Sequence, residues 1–94
     1  MFILHVDIMA KPGSELALEK TYVDVFRPAV SSQEGFDRVE LLRSNRTGVD
    51  YLLSIAFDLQ ASQQNWVASD LHQQVWPEME SQCESCAVKD YTSV

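Results

Sequence analysis

The sequence predicts an α+β fold of the ferredoxin-like type, in the order βαββαβ, with a four-stranded antiparallel sheet and helices on one face. Three observations lead there. Residues 2–9 and the pair of stretches between 36 and 57 have the two-residue alternation of strands. Residues 15–31 and 60–82 place their apolar residues at helical spacing. Gly, Pro, Asn and Ser cluster where one pattern gives way to the next. At 94 residues, without a linker, a short repeat or a low-complexity tract, residues 1–94 read as a single domain.

In chain order, Phe2, Leu4, Val6 and Ile8 face one way, and Ile3, His5, Asp7 and Met9 the other. Lys11-Pro12-Gly13-Ser14 is a turn in which Ser14 is suited to cap the next helix. That helix spans 15–31 with Leu16, Val23, Phe26 and Val30 as its apolar stripe, widened by Tyr22 and Ala29; Pro28 is expected to kink it or end it early. Gln33-Glu34-Gly35 breaks the pattern. The second strand, 36–44, sets Val39, Leu41 and Arg43 against Arg38, Glu40 and Leu42, and Asn45-Arg46-Thr47-Gly48 turns it back. The third, 51–57, is apolar on both faces, as a central covered strand would be. The last runs from about 86 to 92.

The stretch from Asn65 to Pro77 holds both tryptophans and one of the two histidines. On a helical wheel Val67, Leu71, Val75, Met79 and Cys83 form one stripe, with His72 and Trp76 along its edge. Trp66 falls on another side. Ser69 can cap a new helix, so the reading is a broken helix, 60–68 and then 69–82. Such a break brings a Trp and a His together at the rim of a small-molecule pocket, although large aromatics more often serve cores.

Two helices cover one face of four strands. The other face, lined by Tyr51, Leu53 and Ile55 or by their neighbours, needs a cover, and a homodimer packed sheet against sheet supplies it. The net charge of −7 argues against nucleic acid and against anionic membranes. No run reaches the ~18 apolar residues of a membrane span. The N-terminal residues read as a strand and not as a leader, so a cytoplasmic location is expected. Cys83 and Cys86 form a C-x-x-C at the expected end of a helix, where the dipole opposes a thiolate; no redox catalysis and no metal site are expected of them.

Glu34-Gly35-Phe36 followed by Glu40-Leu41-Leu42-Arg43-Ser44 resembles the second strand of the antibiotic-biosynthesis-monooxygenase domains. Phe57-Asp58, then Trp66-Val67-Ala68-Ser69 and a nearby His, is similar to their third-strand end and following helix. The resemblance extends along nearly the whole chain. It implies a dimeric α+β barrel with a pocket between sheet and helices in each protomer. One branch consists of cofactor-free oxygenases of aromatic or quinol substrates, in which Trp and polar groups hold the substrate near O2. On that model His72, Trp66 and Asn65 are the catalytic candidates. Tyr51, His5, Asp7, Arg43 and Trp76 are candidates for substrate binding, with no cofactor or metal. His72 or His5 would be the base, and Asn65 or the Trp66 N–H the oxyanion donor. A haem-degrading branch has an Asn, Trp, His triad. Here Asp7 stands near the Asn position, Trp66 fits the Trp, and Trp76 stands about where the His is expected. A non-catalytic dimeric module that binds a small ligand is the alternative reading.

Overall fold

A computed structural model describes residues 1–94. The elements are β1 (Phe2–Ala10), α1 (Glu15–Thr21), a π-helical segment (Tyr22–Phe26), α2 (Arg27–Ser31), β2 (Phe36–Arg43), β3 (Asp50–Phe57), α3 (Gln60–Ala68), α4 (Asp70–Glu80) and β4 (Cys83–Thr92). The sheet order is β2-β3-β1-β4, with every neighbouring pair antiparallel. This is the ferredoxin-like arrangement expected from the sequence.

Register decides which side chains meet the helices. Leu4, Val6 and Ile8 of β1 lie opposite Ile55, Leu53 and Tyr51 of β3, and those lie opposite Val39, Leu41 and Arg43 of β2. This inward face meets Leu18, Tyr22, Phe26, Val30, Trp66, Val75 and Met79 in one buried cluster. Tyr51, Leu53 and Ile55 are therefore core residues. Their neighbours line the bare face: Leu52, Ser54 and Ala56, with Ile3, His5, Asp7 and Met9 beside them.

The first helical stretch departs from its expected stripe. Leu16 and Val23 are exposed, while Leu18, Tyr22, Phe26 and Val30 point inward at four-residue intervals. An α-helix of 3.6 residues per turn would drift off that spacing. The π-helical turn, in which the Arg27 N–H donates to the Tyr22 carbonyl five residues back, is wider and keeps the four in line. The same widening absorbs Pro28, which has no N–H to give, so the chain stays helical to Ser31 and does not end early. Ser14 stands at the N-cap but its hydroxyl makes no capping bond; Glu15 instead accepts from the Gly13 N–H at 3.2 Å.

Gly35 enters β2 with φ +79°, in the left-handed region, and a Cβ there would overlap Asp58 Oδ1 and Ser62 Oγ. That contact ties the start of β2 to the start of α3. At the other end, β4 begins at Cys83, three residues earlier than expected, so Cys83 is a strand residue and not the last member of a helical stripe. Val67 also leaves that stripe, being 38 % exposed, because the break at Ser69 resets the phase between α3 and α4.

Candidate functional site

A cavity of about 290 Å³ opens between the inward face of the sheet and the helices. Leu4, Val6, Leu53 and Ile55 form its floor, Phe26 one wall, and Trp66, His72 and Trp76 another. Val88 of β4 closes the remaining side only in part. It faces inward opposite Val6, yet it is 62 % exposed because no helix covers the edge strand at this point, so the cavity opens there.

The aromatic wall is built by the helix break. Ser69 sits between α3 and α4 in extended backbone, with φ −73° and ψ 152°. Its hydroxyl accepts from the His72 N–H at 3.1 Å and donates to the Trp66 carbonyl at 2.6 Å. One side chain thus caps the second helix and holds the last turn of the first. The result is an edge-to-face contact of Trp66 with His72, 5.1 Å between centroids, while His72 stacks on Trp76 at 6.4 Å and 17°. Six residues separate Trp66 from His72 in sequence; a continuous helix would have set them well apart around its axis. Phe26, on the π-helical segment, meets both tryptophans edge-on, at 6.0 Å and 6.1 Å. Such tilted contacts are the favoured geometry for aromatic quadrupoles. Ser69→Ala should cost about 1 kcal/mol, the usual scale for a lost N-cap, and loosen the Trp66–His72 contact. Urea unfolding followed by tryptophan fluorescence would read both effects.

His72 is the one titratable side chain that lines the cavity. Burial pushes its pKa below the usual histidine value of 6.5, so the ring is neutral at physiological pH. Its Nδ1 is buried and has no hydrogen-bond partner. No protein group fixes the tautomer, so an occupant of the cavity can set it.

The other candidate residues are dispersed. Trp76 lines the cavity beside Trp66 and His72. Asn65 is exposed on α3 and is not part of the lining; the amide that reaches it is Gln63, one helical turn before Trp66. Tyr51 and Arg43 lie on another flank of the same face, in a separate cleft with Glu19, Tyr22 and Asn45. There the Tyr51 hydroxyl donates to Glu19 Oε2 at 2.6 Å, and Arg43 Nη1 lies 3.4 Å from the same oxygen. Burial and this carboxylate push the Tyr51 phenol up to about 12, which keeps it a proton donor to Glu19. His5 and Asp7 project from the bare face, where the His5 ring lies 5.0 Å from that of Tyr91. Gln63 and Phe26 were not legible as site residues. Phe26 reads as core by its spacing, which it also is, and nothing local marks Gln63 among the three glutamines of α3.

Haem does not fit this arrangement. Asp7 is on the opposite face of the sheet from Trp66 and Trp76, and Val6 takes the inward place beside it. His72 is the only lining side chain that ligates iron well, and the cavity is small and apolar.

No helix is long and apolar enough to cross a membrane. A comparison with curated proteins finds no match. Among solved structures, the chain is similar to an antibiotic biosynthesis monooxygenase of Nitrosomonas europaea, so described provisionally, with TM-score 0.87 and 13 % identity over 100 % of this chain and 99 % of that one. A protein of Bordetella bronchiseptica described in the same way gives TM-score 0.87 and 20 % identity over 99 % and 97 %. An Asn-to-Ala variant of SnoaB, a cofactor-independent oxygenase from Streptomyces nogalater, gives TM-score 0.86 and 14 % identity over 98 % and 92 %. At these identities the likeness is one of fold. The family model for antibiotic biosynthesis monooxygenases, however, matches the sequence itself over residues 1–76, from β1 through Trp76. The chain belongs to the antibiotic biosynthesis monooxygenase family.

Proposed function

We propose that this protein is a cofactor-independent monooxygenase of a small electron-rich aromatic, of the phenol or quinol type. One observation carries the reading: an apolar, aromatic-walled cavity whose only titratable group is a histidine held neutral by its burial. A neutral imidazole in such a place is a general base. His72 takes the phenolic proton, and the resulting anion is rich enough in electrons to reduce O2 directly. The ring carbon para to the oxygen bonds to O2 as a peroxide. That carbon loses its hydrogen, one oxygen stays as the new carbonyl of a quinone, and the other leaves as water. Phenol plus O2 therefore gives quinone plus water, with no outside reductant. Gln63, which lines the cavity, donates its amide N–H to the developing oxyanion, and Trp66, Trp76 and Phe26 give the ring an aromatic wall to pack against. The volume lies at the lower end of the ~300–1,000 Å³ usual for ligand sites, which favours one or two rings over a polycycle. Oxygen uptake with a panel of mono- and bicyclic phenols that carry hydrogen para to the hydroxyl tests this. Uptake matched by quinone formation is expected, and no uptake above the buffer rate with any of them would remove the enzyme reading.

The self-sufficient contacts of Phe26, Trp66 and Trp76 favour a second reading, a module that binds an aromatic ligand without changing it. In that case His72→Ala would bind the ligand as the intact protein does, and O2 would not be consumed by either.

We propose further that two copies pair through the bare faces of their sheets. Met9, Leu42 and Tyr91 are each about half exposed there, around Leu52 and the small residues Ser54 and Ala56. Sedimentation at micromolar concentration should give a dimer; a stable monomer would count against it.

A further inference from the structure

The C-x-x-C pair has no part in the chemistry above, yet the fold treats it unusually. In an unbroken strand, residues three apart point to opposite faces. In β4 they do not. Cys83 lies opposite Ala10, Ser85 opposite Met9 and Cys86 opposite Ile8, which leaves Glu84 without a partner. That extra residue is a β-bulge, and it restores the parity: both cysteines face the helices. Their partners are two strand positions apart, so the two Cα atoms are separated by about 6.7 Å along the strand, at the upper limit of the span that a disulfide bridges. Both thiols are free. Cys83 is buried in the core and donates to the Met79 carbonyl at 3.2 Å, while Cys86 is exposed.

We infer that Cys83 and Cys86 form a reversible intrachain disulfide across the bulge, with a small disulfide such as oxidised glutathione as the oxidant. The Cys86 thiol loses its proton and displaces one glutathione as a thiol, leaving the other joined to Cys86. The Cys83 thiol then loses its proton, attacks the Cys86 sulfur and releases the second glutathione. Two protein thiols are oxidised and one small disulfide becomes two thiols, so the exchange balances. The order follows from exposure: only Cys86 is accessible to the first partner, and only Cys83 is near enough to resolve it. Burial raises both thiols, Cys83 to about 12, with the neighbouring Cys86 adding to it. The exchange is therefore slow near neutrality and quickens with alkaline pH. Once formed, the bond removes the thiol donor from Met79, and so alters the junction of α4 and β4 at one end of the cavity-bearing layer.

Treatment with oxidised glutathione, acid quench and intact-mass measurement test the inference. The wild-type chain should lose two hydrogens, carry no glutathione, and return to the dithiol with dithiothreitol. Cys83→Ala should instead accumulate a glutathione adduct at Cys86. Cys86→Ser changes an exposed position, so its fold is secure, and it should acquire no adduct at the buried Cys83. A wild-type chain that holds a lasting glutathione adduct, that cross-links to a second chain, or that stays fully reduced while Cys83→Ala is modified, overturns the inference. So does a failure of every form to react at alkaline pH.

Discussion

His72→Ala should lower turnover of a phenolic substrate by roughly 10²-fold or more, the usual scale for losing a general base. The fall should lie in kcat, with substrate binding changed much less, because the aromatic walls remain. The pH profile gives an independent reading. Burial holds the imidazole below its ordinary value of 6.5, so activity should rise with pH through that lowered pKa and level off before neutrality. His72→Gln keeps a polar side chain but should abolish this acid limb. Stability follows the same group. Between the folded and unfolded pKa the unfolded chain binds more protons, so stability is full above about 6.5 and is lost as pH falls toward the folded value. In His72→Gln that part of the acid destabilisation should vanish. A variant that loses activity only because the protein unfolds would show a shifted denaturation midpoint at pH 8. An unchanged midpoint with lost turnover assigns the loss to chemistry.

The broken helix shows what a sequence alone can say about such a site. Ser69 was legible as a cap because a hydroxyl before a run of helical residues has a local purpose, and the pairing of Trp66 with His72 followed from that break. The sheet was legible because its alternation is local as well. Which face of β3 met the helices was not, since both faces are apolar and only the register with β1 decides. The remaining candidates scattered for the same reason. His5 and Asp7 belong to the outward set of β1, and the parity of that strand relative to the helices is a tertiary fact. Arg43 and Tyr51 do face inward, but Glu19 draws them to another flank. The π-helical turn left no signal beyond Pro28, whose position suggested an ending where the chain instead widens.

That turn explains why Phe26 should be a costly aromatic to remove. Phe26→Ala is expected to cost about 3–5 kcal/mol, the range for truncating a buried aromatic. Phe26 is 1 % exposed and touches Tyr22, Trp66 and Trp76, so the space it leaves borders three rings and cannot collapse without moving them. A chain of 94 residues has a total stability of about 5–14 kcal/mol, so one substitution would consume a large share of it. Phe26→Leu fills most of the volume and should lose much less. The two variants also separate packing from function. Phe26→Leu should keep the fold and widen the cavity on one side, which should admit a larger ring system and weaken binding of a monocyclic phenol. Both tryptophans contact Phe26, so their fluorescence reports the change directly during urea unfolding. A Phe26→Ala midpoint equal to that of the wild type would mean that Trp66 and Trp76 are held by α3 and α4 alone, and that the wider helical turn is not what supports the wall of the site.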